Sequence, residues 1–434
     1  MTTWSRLIQR TDGGGITQAD VEAILDAVTE RLKSLPLDML RDRAALRQKA
    51  LDEIRDIVTR QSIPISPTRI NALADRAAAE IGGLGFLNEL LPPVTDAYNE
   101  VAVNPDGSVW VLPKGERYFV RANVSPSKRD VWRAVEALLA PLGRSLTEAT
   151  PDVDARLPRA SDMGGARIKV IHPSLAPGYG YPALNIRLFE ARPVTAQMLE
   201  DWEVAPPHVI RALVSMIANE RRLLVCGGTA TGKTTVLNGL AADAIPEYAR
   251  VVKVENPEEI WLPQPNVVTI EERPSPPGSD VPAYLQRDGV DASLRMSPTW
   301  LIVGEVRTGD VALSLMRAQM SDHPGLSTFH ASSPWHAIRR MALLVTMDTQ
   351  SRSMAAAKEA IAQAVDVIVQ VGWMNARRKI LGVWAIHKEL RGGDVRLEEL
   401  WLADGYRPKG LDNSEDIRDM KQLFQVQVPE EVQP

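Results

Sequence analysis

The run Gly227-Gly-Thr-Ala-Thr-Gly232-Lys233-Thr234 constrains this chain more than any other segment, because it fits G-x-x-x-x-G-K-[ST] at every fixed position. Glycines at these places let a loop wrap an anion with backbone N–H groups that a Cβ would obstruct. The apolar run Leu223-Leu-Val-Cys226 leads into the loop, and Val236, Leu237 and Leu240 lie on one helix after it. Strand, glycine loop and helix therefore come in the order a phosphate cradle needs, with the positive end of the helix aimed at the same anion. On this reading Gly228, Thr229, Ala230, Thr231, Gly232, Lys233, Thr234 and Thr235 hold the phosphates of a nucleotide. Lys233 brings a mobile point charge to the β- and γ-phosphates, and the Thr234 hydroxyl is a ligand for Mg2+.

Three further segments narrow the task. Trp300-Leu-Ile-Val-Gly-Glu305 is an apolar strand ending in a carboxylate. A glutamate after a strand is usually solvated surface. Downstream of such a loop, Glu305 reads as the group that polarises an attacking water, a role worth about 10²–10⁴ in rate. Glu255-Asn-Pro-Glu-Glu259 follows the strand Val251-Val-Lys-Val254, so these acids fall at a strand's carboxyl end, where open α/β sheets bind ligands. Glu255 and Glu259 can hold Mg2+ through water, or be ordinary exposed acids. His323-Pro-Gly-Leu-Ser-Thr-Phe-His330 contains two of the six histidines. Residues 327–329 read as a strand that carries His330 to the same sheet edge, as a γ-phosphate sensor or a hydrogen-bond partner of Glu305. A structural histidine is the alternative, more so for His323 than for His330. With no cysteine nearby, a zinc site is not expected.

Around these motifs the chain divides by period. Residues 1–80 read as helical: Thr17 and Asp20 have capping-box spacing, and Val21, Ile24, Leu25, Val28 and Leu32 share a face that ends at Pro36. Leu46, Leu51, Ile54, Ile57 and Val58 make a second stripe. Ser66-Pro67 opens a third helix, with Ile70, Leu73 and Ala77 inward until Gly82-Gly83. From Tyr98 the period becomes two. Val101 and Val103, the turn Asn104-Pro-Asp-Gly107, then Val109 and Val111 read as a hairpin, with a third strand over 118–124. Ser125-Pro126 starts a helix carrying Val131, Val135, Leu138 and Leu139, and Ile168/Val170 and Leu184/Ile186/Leu188 read as two more strands. Pro193, Pro206 and Pro207 bracket a connector. Beyond it the pattern is α/β and closes in an antiparallel piece over 367–371 and 380–386. The expected divisions are a helical extension over 1–80, an α+β domain over 81–192, a hinge linker over 193–207 and a nucleotide-binding domain over 208–434.

Composition excludes several classes. The chain has 434 residues, 44% apolar and 24% charged, which is globular and rules out collagen-like, coiled-coil or wholly disordered readings. Fifty basic against 55 acidic residues leave a net charge of −5, which argues against a surface built to grip nucleic acid. The single cysteine, Cys226, excludes an internal disulfide framework or a cysteine-cluster metal site. No apolar stretch approaches the ~20 residues needed to cross a bilayer, and the first residues lack a signal segment, so a cytoplasmic protein without a transmembrane segment is expected.

Taken together, the glycine loop, Glu255–Glu259, Leu-Ile-Val-Gly-Glu305-Val-Arg307 and the paired histidines resemble the four nucleotide boxes of the secretion (traffic) ATPase superfamily of type II and type IV secretion, conjugation and pilus machines. Leu262-Pro-Gln-Pro-Asn-Val-Val-Thr-Ile-Glu271, Leu294-Arg-Met-Ser-Pro298, Gly83-Leu-Gly-Phe-Leu87 and Asn99-Glu-Val-Ala-Val-Asn104 are most similar to its Tad-pilus (CpaF-like) and type IV secretion branch. The resemblance implies an α/β fold: a RecA-like ATPase domain preceded by a small PAS-like α+β domain and the helical extension. It implies an ATP- and Mg2+-dependent homo-hexamer at the cytoplasmic face of the inner membrane, acting on a membrane platform protein, with no direct nucleic-acid contact. It also implies arginines that reach the phosphates, for which Arg156, Arg167 and Arg187 are the candidates, and a phosphate or interface role for Arg307. Asn256 stands where that family usually has aspartate, and one cysteine cannot build the four-cysteine zinc element of some assembly ATPases. A pilus retraction motor, a DNA-translocating ATPase and a non-hydrolysing nucleotide-binding scaffold stay open as alternatives.

Overall fold

The computed structural model describes residues 18–32, 35, 39, 43–61, 63–81, 84–92, 94–159, 164–273, 275, 280–349 and 353–408. Thr17, Pro36 and Gly82-Gly83, read above as helix punctuation, lie outside the described residues. The chain forms two compact units, Met1–Ala191 and Arg192–Pro434.

In the first unit, helices α1 (Gln18–Leu32), α2 (Arg43–Gln61) and α3 (Pro67–Ile81) bury one stripe each, so that Val28, Leu46, Ile54 and Ala77 form a common core. Strands β1 (Tyr98–Val103), β2 (Val109–Pro113) and β3 (Val120–Arg121), helix α4 (Lys128–Leu139), and strands β4 (Asp152–Leu157), β5 (Ala166–Ile171) and β6 (Ala183–Leu188) follow. The strands form one antiparallel sheet in the order β3-β2-β1-β6-β5-β4. Its inner face (Val101, Val111, Ile168, Ile186) packs on Val131, Val135 and Leu138 of α4. Two expectations are corrected here, and one strand is new. The strand expected over 118–124 shrinks to Val120–Arg121, whose side chains are exposed at the sheet edge. Helix α4 starts after Ser127, not at Ser125-Pro126, because Ser127 and Asp130 close a capping box there. Strand β4 was not anticipated at all.

The second unit holds α5 (Ala196–Asp201), α6 (Pro207–Ala218), β7 (Leu223–Gly227), α7 (Lys233–Ala244), β8 (Val251–Glu255), β9 (Val267–Glu271), α8 (Gln286–Ser293), β10 (Trp300–Val306), α9 (Gly309–Met320), β11 (Gly325–His330), α10 (Pro334–Thr349), α11 (Met354–Ala364), β12 (Val367–Met374), β13 (Arg377–Ile386) and β14 (Leu397–Leu402). The stretch expected as a hinge linker carries α5, whose Leu199 is buried in this unit's core. The eight strands run β14-β13-β12-β7-β11-β10-β8-β9, parallel from β12 to β9 and antiparallel at β13 and β14. Alternate residues of β7 serve two cores. Leu223 and Val225 join the cluster with α5, α6 and α7, while Leu224 and Cys226 join the one with α9, α10 and α11. That double burial explains why the strand reads as an unbroken apolar run. Among the described residues, no helix is long and apolar enough to cross a membrane.

An ion pair sets the register of the central strands. Arg222, just before β7, donates to Asp366, just before β12, through its backbone N–H and through Nε and Nη2 of its guanidinium, each at 2.9 Å. Lys388 adds a second cation at 2.6 Å. Burial alone would raise the Asp366 carboxyl, but these donors override it and hold it well below the carboxylate range. At the hairpin joining β12 to β13, Asn375 and Ala376 both take positive φ, of 49° and 60°. Two-residue hairpins favour that geometry, but glycine suits the second position better than alanine.

Two measurements follow. Asp366→Asn should lower unfolding free energy in urea by about 2–4 kcal/mol. Because the folded carboxyl titrates below its unfolded value of about 3.9, the wild-type advantage over this variant should be full above that pH and fade as acid is added. Ala376→Gly should stabilise the protein by up to about 1 kcal/mol by relieving the left-handed strain.

Candidate functional site

Because β7 has hydrogen-bonded neighbours on both sides, the chain can only leave it outward, at the carboxyl edge of the sheet. The loop turns there through Ala230 and Gly232, with φ of 56° and 89°. A Cβ on Gly227 would lie 2.5 Å from the Val371 carbonyl oxygen, so only glycine fits the exit. Thr231 Oγ1 donates to the Gly228 carbonyl at 2.9 Å and closes the loop, and α7 starts at Lys233 directly after it. Gly228, Thr229 and Ala230 are exposed, whereas Thr231 and Lys233 are buried and Gly232, Thr234 and Thr235 half-buried.

The parallel strands deliver the other groups to this edge. The Lys233 ammonium donates to the Gly228 carbonyl at 2.9 Å and lies 3.3 Å from His330 Nδ1. His330 Nε2 is 2.6 Å from Glu305 Oε1, and Arg307 Nε is 2.7 Å from Glu305 Oε2. Residues separated by about a hundred positions thus form one continuous polar chain. Burial and then the Lys233 charge lower the His330 pKa, which Glu305 only partly offsets, so the imidazole is neutral at pH 7. Arg340 holds the end of β11 by donating to the His330 carbonyl at 2.6 Å.

Thr234, Glu255, Asn256, Glu259, Gln286, Glu305 and Arg307 line one small polar pocket beside the loop. Within it Glu255 is 1% exposed and fully engaged. Its Oε1 accepts the backbone N–H groups of Glu259 and Ile260 at 3.1 and 3.0 Å, and its Oε2 faces Lys253 Nζ at 3.2 Å. Burial, the largest influence, raises the Glu255 carboxyl against the pull of Lys253 and these donors. Lys253 also reaches Glu258 at 2.5 Å and donates to the Ile260 carbonyl. Asn256 donates to Glu272. Glu255 therefore acts first as the anchor of its own turn. Oxygen donors at the pocket, the Thr234 hydroxyl foremost, suit a hard cation that keeps most of its waters.

The first unit brings its three candidate arginines together. Arg156 pairs with Arg167, and Arg167 with Arg187, as direct partners on β4, β5 and β6, so one cross-strand row carries all three. They share the face opposite the core, with Asp154 3.4 Å from Arg167. Glu100 of β1 is the next direct partner in that row, opposite Arg187. His323, by contrast, sits before the amino end of β11, its Nδ1 3.3 Å from the Ala318 carbonyl, at the edge opposite His330. Sequence reasoning passed over Lys253, whose signal was a lysine inside an apolar strand with acids two and five places on. It also passed over Gln286, which donates to the Glu305 carbonyl at 2.9 Å and carries no local signal.

An NMR titration of the imidazoles should place His330 below the ordinary 6.5, and Lys233→Met should move it upward. Since the unfolded chain protonates first, the His330 contribution should erode stability as pH falls below about 6.5. Gly304→Ala, whose Cβ would come within 2.9 Å of Glu255 Cγ, should cost about 1–3 kcal/mol in denaturant unfolding.

The fold and this edge have counterparts. The chain is 27% identical over 293 residues to the conjugal transfer protein TrbB of Rhizobium radiobacter, covering 67% of this chain and 83% of that one. It is 29% identical over 201 residues to protein VirB11 of Agrobacterium fabrum, covering 46% and 52%. The X-ray structure of the ATPase DotB of Legionella pneumophila aligns over 70% of this chain and 79% of its own, with TM-score 0.51 and 16% identity, a likeness of fold alone. The superfamily expected from the boxes holds, on a match to the family itself. The family described as type II/IV secretion system protein matches residues 85–374, glycine loop, acid strands and His330 included, and with more than half its length matched this chain belongs to that family.

Proposed function

We propose that the protein is a motor ATPase of a secretion or pilus machine, hydrolysing ATP to ADP and phosphate. The observation that carries this reading is the contact chain from the loop lysine through His330 to Glu305, which brings a phosphate-binding cation and an acid to one edge. The loop N–H groups bind the phosphates, and Lys233 exchanges the Gly228 carbonyl for phosphate oxygens. Glu305, oriented by Arg307 and neutral His330, takes hold of the attacking water. Mg2+, when bound, would neutralise charge on the β- and γ-oxygens. Thr234 would hold it directly, and Glu255 and Glu259 through water, since both oxygens of Glu255 are already engaged. The arginine row Arg156–Arg167–Arg187 is assigned to phosphate binding, because guanidinium forks lined up in one cross-strand row can each pair phosphate oxygens.

The same reading takes the second unit as RecA-like and the α+β part of the first as PAS-like, supported by the strand order and the family membership. It divides the chain into extension, PAS-like domain, linker and ATPase domain at 80, 192 and 207. It makes the working form a homo-hexameric ring, peripheral at the cytoplasmic side of the inner membrane and pushing on a platform protein. The conjugal-transfer name of its relative TrbB favours type IV secretion over a Tad pilus.

Phosphate release and nucleotide binding test the reading together. Glu305→Gln should bind ATP as the wild type does while releasing phosphate about 10²–10⁴-fold more slowly. Lys233→Ala should lose binding. Equal phosphate release by wild type and Glu305→Gln would mean a scaffold or a different acid.

A further inference from the structure

Strand β12 runs parallel to β7 and ends at Met374, so the β12–β13 hairpin emerges at the same sheet edge as the glycine loop, on the side away from β11. Trp373 and Arg378 are cross-strand partners in that hairpin, and the Arg378 guanidinium lies over the indole ring, 5.0 Å from its centre. Arg378 Nε donates to the Ala230 carbonyl at 3.1 Å, and its Cδ would lie 3.5 Å from a Cβ on Gly232. The far side of the hairpin is braced as well. Arg377 pairs with Glu203 at 2.5 Å, and Ile380 N–H donates to the Val204 carbonyl at 2.8 Å. A planar cation stacked on an aromatic ring is thus held against the loop by its donation to the Ala230 carbonyl.

The order of strands gives this pair a direction. Glu305 and His330 lie on β10 and β11, on one side of the loop, and mark the end of a triphosphate where a water would attack. The other end of a bound nucleotide then leaves the loop toward β12 and β13. We propose that the Trp373–Arg378 stack is the subsite for the nucleoside half of the nucleotide, with the base laid on the guanidinium–indole pair. A guanidinium already stacked on an aromatic face offers a flat cationic surface on which a purine extends the stack. Stacking is tolerant of base identity, so adenine and guanine nucleotides should both be accepted, with pyrimidines weaker.

The inference rests on the nucleotide reading, and the experiment separates the two. Full-length protein is titrated by calorimetry with a non-hydrolysable ATP analogue and, separately, with tripolyphosphate, each with Mg2+. Arg378→Ala and Trp373→Ala should weaken the analogue by about tenfold and leave tripolyphosphate within about twofold, a size typical of one desolvated cation–π contact. Arg378→Lys, which keeps charge and loses the plane, should fall with Arg378→Ala. Tryptophan emission should respond to the analogue and not to tripolyphosphate, and that response should vanish in Trp373→Phe, which keeps an aromatic ring and the fold. Parallel losses for both ligands, or no loss in either variant, would overturn the subsite while leaving the loop assignment intact. A wild type that binds neither ligand would overturn both.

Discussion

A strand buried on both faces and paired on both edges leaves its chain one way out, and that constraint organises the second unit. β7 contributes Leu223 and Val225 to one core and Leu224 and Cys226 to the other, so the glycine loop must project from its carboxyl end. Its neighbours β11, β10 and β8 run parallel to it. Whatever ends those strands therefore arrives at the same edge, which is how His330 meets Lys233 and Glu305, and how Glu255 reaches the pocket beside them, despite their distance in sequence. The Arg222–Asp366 pair holds β7 and β12 in register from the opposite end. Cys226, at the last buried step before the loop, has its thiol pushed up to about 12 by burial, so it serves packing rather than chemistry.

Charge at the edge is arranged in two tiers. The outer one, Lys233, His330, Glu305 and Arg307, is partly open and made of groups that can exchange partners. The inner one, Lys253 with Glu255 and Glu258, is closed, with Lys253 only 2% exposed. Burying such a group of charges carries a desolvation cost that a hydrophobic replacement would avoid. What it secures is shape: a turn over 255–260 whose N–H groups and carbonyl are tied to fixed side chains. Asn256, where the family's usual aspartate would repel the acids nearby, donates to Glu272 instead.

Much of this was legible because the signals were short-range. The glycine loop needs particular residues at particular places, and apolar periodicity marked the helices of the first unit and most strands of both. The misses share a cause, which is that tertiary partners decided them. β4 alternates Val153 and Leu157 inward with Asp152, Asp154 and Arg156 outward, and so many charges hid the alternation until β5 supplied its partner. β3 carries Tyr118 and Phe119 just ahead of it, a strong strand signal, yet it pairs over only two residues because nothing continues the sheet beyond it. Identical residue types at the two ends of one segment, His323 and His330, look alike in sequence, and the direction of β11 separates them. Lys253 was hidden for the opposite reason: a lone lysine in an apolar strand gains meaning only from the acids that fold back over it.

In the proposed mechanism Lys233 and Glu305 act on opposite ends of one phosphate group, with His330 between them. A crystal structure with Mg2+ and a non-hydrolysable ATP analogue tests it most directly. The Lys233 ammonium should leave the Gly228 carbonyl for the terminal phosphates, with a water held between the γ-phosphate and the Glu305 carboxylate. An analogue bound in the loop with Glu305 turned away from the γ-phosphate, or Lys233 still on Gly228, would contradict it.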